Sequence, residues 1–417
     1  MSVFRKGVIA IVGTTGVGKS QLAIELARAI NGEVINADAL QMYTGYDIIT
    51  NKVTKEEQSS IPHHLLGTVS ANHEYTVQEY EQEALAKISE IHQRQRTPIL
   101  VGGTNYYVQS VLFRKSLIPT EDSEAHTSPK EFEKQYEAKS NIDVWEELRR
   151  NDREMAEIWH PNNRRKVLRS LQVFYTTGKK HSEWIRETQE ARQNEETLRF
   201  PALVLWLYAE KEQLDLRLDK RVDKMMERGL LREVEQLQYD TKGNGFTTGL
   251  RQAIGFRELT EAVKSPNDES LLKDGVERMK TATRQYARRQ VAWLRNKMVP
   301  TCRDTQSKQT TAHMFVLNAT NVDQSAWDKN VRSVGIDLAQ KFVCDNSLPN
   351  PQSLSQEAAQ VLTMARQQAV SALAWQRHLC EVCSTSEQPV WIHGADELRQ
   401  HRQSRRHRRN AQRHSKK

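Results

Sequence analysis

Eight residues near the amino terminus, Gly13 to Ser20 ("GTTGVGKS"), carry the spacing G-x-x-x-x-G-K-[ST]. Gly13, Gly16 and Gly18 permit a tight turn whose backbone N–H groups converge, and a following helix would add its positive end. Gly13, Thr14, Thr15, Gly16, Val17, Gly18 and Lys19 therefore read as a cradle for anionic oxygens. Lys19 is expected to reach a terminal phosphate and Ser20 to hold Mg²⁺ through its hydroxyl. Asp38 closes a second apolar run, "EVINAD", and Thr104 follows a third, "TPILVGG". Strand carboxyl ends face the ligand crevice of an open α/β sheet, which would bring Asp38 close to the cradle. Far along the chain, Cys380 and Cys383 precede His401 and His407. Two thiolates and two imidazoles are a donor set for tetrahedral Zn²⁺. The interval from Cys383 to His401 is longer than in most fingers, so His393 is a rival ligand.

These groups need a scaffold. "GVIAIVG" is a short run rich in Val and Ile that reads as a buried parallel strand, and the glycine loop follows it at once. In "KSQLAIELARAI", Leu22, Leu26 and Ile30 share one helical face. A helix over "YTVQEYEQEALAKISEIHQR" leads to the strand "TPILVGG", and "ALVLWLYA" (202–209) returns to a strand after a helical stretch. The expected fold is α/β, a P-loop NTPase-like parallel sheet with an inserted helical domain and a C-terminal zinc finger. The expected divisions are a first core part over 1–112, the helical insertion over 113–200, and a second core part with basic helices over 201–300. A linker and poorly defined region with one strand, "HMFVLNA", then covers 301–370, where residues 303–345 either complete the core or only tether the finger, and the finger and basic tail cover 371–417. A helix is expected to enter the cysteine pair.

Net charge is +8, and residues 399–417 hold nine Lys/Arg and no acid, enough to supply it all. That tail is either a solvated extension or a nucleic-acid contact. The segment "GVERMKTATRQYARRQVAWLRNK" has seven Lys/Arg against one Glu, with Val276, Met279, Thr283, Tyr286, Gln290 and Trp293 along one face. It reads equally as a solvated amphipathic helix and as an RNA-facing one. Four cysteines in 417 residues argue against a disulfide scaffold and for a reducing compartment. No apolar run is long enough to span a bilayer, and the first residues leave no room for a separate signal peptide.

The glycine loop alone says only that a polyphosphate binds, and a kinase or NTPase would be the default. Two features weaken that default. Asp38 is expected near the phosphates, though a carboxylate behind the magnesium of a kinase would stand there too, and no apolar strand ends in the acidic residue an ATPase needs.

Taken in order, "GTTGVGKS", "NADALQMYTGYDIITNK", "IPHHLLG", "ILVGGTNYYVQSVL", "HPNNRRKVLRSLQVFYTTGK", "LRLDKRVDKMMERGLLREV", "GLRQAIGFREL" and "TRQYARRQVAWLR" resemble the tRNA dimethylallyltransferase (tRNA isopentenyltransferase) family. The resemblance runs from about residue 8 to residue 298. It implies transfer of a dimethylallyl group from dimethylallyl diphosphate to N6 of adenosine 37 in tRNA, with Mg²⁺ at the diphosphate. By the same resemblance Asp38 is the general base, Thr104 helps hold the amine, and Arg221 meets the diphosphate with Arg217 one turn earlier. Gln41 orients the flipped base or packs under it, Gln285 contacts the anticodon stem-loop, and Arg164, Arg165, Arg284, Arg288 and Arg289 contact it too or serve as solubilising charge. The Cys380, Cys383, His401, His407 set resembles the zinc finger of eukaryotic members. One residue departs from the family: Ala39 stands where members often carry Ser. The implied protein is a monomeric enzyme whose division among cytoplasm, mitochondrion and nucleus is left open. The rivals are an adenylate isopentenyltransferase acting on a free nucleotide, a P-loop kinase, and a non-catalytic RNA-binding protein.

Overall fold

The structure is a computed structural model that describes residues 6–114, 116–117, 129–194, 197–240, 248–306, 310–368, 377–385 and 389–414. Two compact units are present, one of residues 1–114 with 196–366 and the other of residues 115–195 with 367–417.

The first unit is built on a parallel sheet. Its strands are β1 (Val8–Gly13), β2 (Gly32–Asn36), β3 (His63–His64), β4 (Thr97–Val101), β5 (Ala202–Tyr208) and β6 (Ala312–Asn318). They lie in the order β3-β2-β4-β1-β5-β6, and every pairing is parallel. Helices cover both faces of such a sheet, so a central strand has no polar side. Val8, Ile9, Ala10, Ile11 and Val12 are accordingly all buried to 0% exposure. Alternate β1 side chains enter two separate cores, Val8, Ala10 and Val12 on one face and Ile9 and Ile11 on the other. The helix Lys19–Ile30 follows β1 and sends Leu22 and Leu26 into the second core. The helix Val77–Gln93 begins at a capping box in which Thr76 and Glu79 satisfy each other's backbone amides.

Residues 301–370 are more than a linker. β6 extends the sheet beyond β5, and the helix Ser333–Val343 packs under it. Phe315, Trp327 and Phe342 are each buried to 2% exposure or less. Burying a Phe of this kind contributes about 1.5–3 kcal/mol, too much for a mere tether. Trp327 also closes on the glycine loop, since a Cβ at Gly18 would stand 2.6 Å from its ring. The edge strand β3 was not expected, and two residues carry no periodicity to reveal it.

The second unit includes the helices Asn141–Asn151, Arg153–Ile158, Arg164–Thr177 and His181–Asn194, with Val144, Trp145, Leu148, Met155, Val167 and Leu171 in their core. The insertion is narrower than 113–200. Phe113 and Leu198 form an antiparallel bridge, and both residues belong to the first unit. Toward the carboxyl terminus, β7 (Arg377–Leu379) pairs antiparallel with β8 (Trp391–His393), and the helices Gly394–Gln403 and Arg405–His414 follow. Cys380 is thus entered from a strand, contrary to the expected helix. The described helix before it ends at Gln368, and residues 369–376 lie outside the described ones. Among the described residues no helix is long and apolar enough to cross a membrane.

Candidate active site and metal centre

The loops at the carboxyl ends of β1, β2 and β4 carry the groups singled out by the sequence. Gly18 caps the Lys19–Ile30 helix at φ 96°, a conformation that favours glycine, and Gly16 has φ 76°. A Cβ at Gly16 would stand 2.8 Å from Leu218, so the helix Lys211–Glu227 lies directly on the loop. Lys19 donates through Nζ to the Thr14 carbonyl at 2.7 Å. The Thr14 hydroxyl is buried without a partner. Ser20 stands exposed in the first helical turn, and Val17 is fully buried.

Asp38 follows β2 and is held by its neighbours. The buried Asn36 side chain accepts from the Asp38 amide at 3.1 Å and donates to the Asp38 and Leu65 carbonyls at 3.1 and 2.9 Å. The Leu40 amide donates to Asp38 Oδ1 at 3.1 Å. Burial pushes the Asp38 carboxyl above its ordinary range, against the pull of Lys19, the Leu40 and Gln41 amides and Arg221. Burial lowers Lys19 to about 8, Asp38 opposing and Arg221 assisting. Burial also lowers Arg221 to about 10, again with Asp38 opposing. Asp38 therefore feels both cations and each of them feels Asp38, although their sequence positions lie far apart. A partly buried carboxylate coupled to two cations, all three with perturbed proton affinities, is an arrangement that points to a functional site.

Arg221 and Arg217 share one face of the 211–227 helix. Both Arg221 Nη atoms donate to the Asn51 side-chain oxygen, at 2.8 and 3.3 Å, with that amide oriented to present its carbonyl. Both Arg217 Nη atoms are buried without a partner, and burial lowers the guanidinium's proton affinity. A buried cation with empty donors is costly unless an anion completes it. Thr104 accepts through Oγ1 from the Ala39 amide at 2.9 Å, which leaves its own hydroxyl proton free to aim elsewhere.

Other expected residues are placed differently. Gln41 donates to the Thr50 and Asn51 carbonyls at 3.2 and 3.1 Å and so braces its own loop. Arg164 donates to the Tyr136 and Lys139 carbonyls and to Asn141, an anchor within the helical insertion. Arg284 pairs with Asp219, and Arg288 reaches Asp215 at 3.5 Å. Arg165, Gln285, Arg288 and Arg289 are exposed, with Arg289 over the Tyr286 ring at 5.8 Å. Sequence reasoning gave no role to Asn36 or Asn51 and assigned Gln290 only to a packed face. Gln290 accepts from the Thr15 amide and donates to the Gly103 carbonyl, both at 3.0 Å.

Cys380, Cys383, His401 and His407 converge, each offering an atom within 4.8 Å of the others. His407 Nδ1 lies 3.3 Å from Cys380 Sγ and 3.5 Å from Cys383 Sγ. Ideal tetrahedral Zn²⁺ bonds to sulfur and nitrogen would set that spacing at about 3.6 Å. His401 Nε2 is buried without a partner, the orphan a metal would satisfy. Asn410 donates to Cys383 Sγ at 3.6 Å, the kind of outer contact that orients a ligand. The four residues fit a structural metal. The His393 side chain, the rival ligand, lies outside the described ones.

Known proteins give this geometry a context. Residues 41–297 match the family model described as IPP transferase. The tRNA dimethylallyltransferase of Saccharomyces cerevisiae is 38% identical over 419 residues, covering 98% of this chain and 93% of that protein. The tRNA dimethylallyltransferase of Homo sapiens is 34% identical, covering 90% and 80%. A solved structure of a eukaryotic dimethylallyltransferase acting on tRNA superposes with a TM-score of 0.82 at 37% identity, covering 98% of this chain and 97% of that one. The bacterial tRNA isopentenylpyrophosphate transferase of Staphylococcus epidermidis gives a TM-score of 0.52 at 31% identity, over 82% of this chain and 99% of its own. With a family model over more than half of its residues and relatives spanning nearly its whole length, this chain belongs to the tRNA dimethylallyltransferase family.

Proposed function

We propose that this chain transfers the dimethylallyl group of dimethylallyl diphosphate to N6 of the tRNA adenosine next to the anticodon. The observation that carries the reading is the cluster of Lys19, Asp38 and Arg221 at the carboxyl edge of the sheet, with the unpartnered Nη donors of Arg217 on the same helix that lies on the glycine loop through Leu218.

An exocyclic adenine amine is a weak nucleophile because its lone pair is delocalised into the ring. Its nitrogen attacks C1 of the dimethylallyl group and forms the new N–C bond. The C1–O bond breaks with its electron pair leaving on the diphosphate, and the amine proton passes to the Asp38 carboxylate. The raised proton affinity of Asp38 suits it to take a proton near neutral pH. Thr104, whose hydroxyl oxygen is fixed by the Ala39 amide, donates its free proton toward the base.

On the leaving side, the P-loop-like cradle, Lys19, Arg217 and Arg221 stabilise the growing negative charge. Lys19 needs only to exchange the Thr14 carbonyl for a phosphate oxygen. The Ser20 hydroxyl is a hard oxygen donor of the type Mg²⁺ takes. Bound there, that ion would neutralise part of the diphosphate charge. The target base cannot reach Asp38 while stacked in its loop, so it must be flipped out. Arg165, Arg288 and Arg289 are exposed and suited to RNA phosphates. A zinc ion on Cys380, Cys383, His401 and His407 would hold the 377–414 segment and its basic helix Arg405–His414.

A free-nucleotide acceptor is the second reading. It leaves the Cys/His cluster and the basic helix behind it without a task. Incubation with labelled dimethylallyl diphosphate and either unmodified tRNA or AMP separates the two. Label mapped to the adenosine beside the anticodon supports the proposal. Label only on AMP, or consumption of ATP without any label on RNA, overturns it.

A further inference from the structure

Gln290 lies near the end of the helix Glu269–Trp293 and is 4% exposed. Its Oε1 accepts from the Thr15 amide in the loop after β1, and its Nε2 donates to the Gly103 carbonyl in the loop after β4. The loop after β2 joins the same knot, because Thr104 Oγ1 accepts from the Ala39 amide beside Asp38. One buried amide therefore links the anion cradle to the segment that holds the proposed base.

The neighbouring glycines make room for it. A Cβ at Gly103 would stand 2.6 Å from Gln290 Nε2 and 3.3 Å from Asp38 Oδ2. A Cβ at Gly102 would stand 2.0 Å from the Ala37 carbonyl oxygen. The pair "GG" lets three loops and one side chain meet at van der Waals distance. A buried amide costs free energy unless its donors and acceptor are met, so an apolar side chain would serve a purely packing role better. Thr15 and Gly103 meet both ends of this one.

We propose that Gln290 is a positioning residue for the transfer. It holds the cradle and the amine pocket in one frame, so that the departing diphosphate and the Asp38 carboxylate keep a fixed separation. The inference rests on the function proposed above. A displacement of 1 Å between reacting groups costs on the order of 10²-fold in rate.

Two variants test it. Gln290→Met keeps the side-chain length and removes both hydrogen bonds. Gly103→Ala leaves the amide in place but puts a methyl group against it. Single-turnover transfer is measured at saturating dimethylallyl diphosphate and tRNA, beside inorganic diphosphate affinity and thermal midpoint. The expected result is a fall of roughly 10- to 100-fold in the saturated rate for both, with diphosphate affinity changed by less than about threefold. A saturated rate within about twofold of the unsubstituted chain, with only the thermal midpoint lowered, would overturn the inference. Where the Met variant does not fold, Gly103→Ala decides by the same criterion. Failure of the underlying function is seen separately, as an unsubstituted chain that labels no RNA.

Discussion

The crevice around Asp38 and the Cys380–His407 cluster are both small knots of polar groups, assembled in opposite ways. The crevice draws on the β1, β2 and β4 loops and on the helices Lys211–Glu227 and Glu269–Trp293. Its parts are held by two large apolar cores, so no single side chain in it is needed for the sheet to form. The Cys/His cluster takes all its parts from one stretch near the carboxyl terminus. Its apolar centre is only Cys380, Cys383 and Ile392, with Val382, Val390 and Leu398 against it. A segment so small cannot hold itself by burial and needs a cross-link or a metal. In one region the fold supports the chemistry; in the other the ligands support the fold.

That contrast can be broken most sharply at Asp38. Asp38→Asn should lower single-turnover transfer by about 10²–10⁴-fold. tRNA affinity should change little. Burial raises the proton affinity of this carboxyl, so the folded state gains no stability from its charge at neutral pH. The variant's thermal midpoint should therefore match or exceed that of the unsubstituted chain. A large fall in the midpoint would mean that the crevice, too, is held together by its polar groups.

The complementary experiment removes a ligand from the other knot. Cys380→Ser, or treatment with a chelator, should abolish hydrogen-exchange protection over 377–414 and weaken tRNA binding by roughly tenfold, through loss of the ordered basic helix. Transfer at saturating tRNA should stay near its normal rate. Absence of one equivalent of zinc in the purified protein would remove the basis for the contrast.

A smaller effect is expected from pH. Burial lowers Lys19 to about 8, so in the free protein the cradle loses a positive charge as pH rises through that value. kcat/KM for dimethylallyl diphosphate should fall above it, and Lys19→Arg should move that limb upward. The acid limb, where Asp38 gains its proton, should lie above the ordinary carboxylate range. An alkaline limb unmoved by Lys19→Arg would assign it to another group. The smallest change concerns single arginines. Arg288→Ala or Arg289→Ala should each reduce the salt dependence of tRNA binding by about one ion. Arg164→Ala should instead lower the stability of the helical insertion, because its guanidinium serves the Tyr136 and Lys139 carbonyls. A reduced salt slope for Arg164→Ala would show that it faces RNA after all.

Much of this was legible before any coordinates. The strand, glycine loop and helix over 8–30 announce themselves because the relevant forces are local: φ freedom, apolar periodicity and the helix start. The Cys/His set was legible for the same reason, its donors being few and chemically distinctive. β6 was visible as a strand whose place in the core stayed open, since its Ala312 pairs with the distant Ala202 of β5 and no local pattern names a partner. Gln290 and Asn51 were illegible as site residues. A polar residue on a helix or loop looks solvated until the backbone it bonds to is known. The bonds of Arg164 were illegible for the converse reason, because an arginine among arginines gives no sign that carbonyls occupy its donors.

The sequence by itself determined which groups exist and which local frames present them: a cradle at a helix start, carboxylate and hydroxyl just past two strands, thiolates and imidazoles in one segment. Only the tertiary structure decided that Lys19, Asp38 and Arg221 share one low-dielectric pocket, and that Gln290 ties its walls together. The reason is that electrostatic shifts and buried hydrogen bonds depend on distance and desolvation, and packing sets both across long separations in sequence.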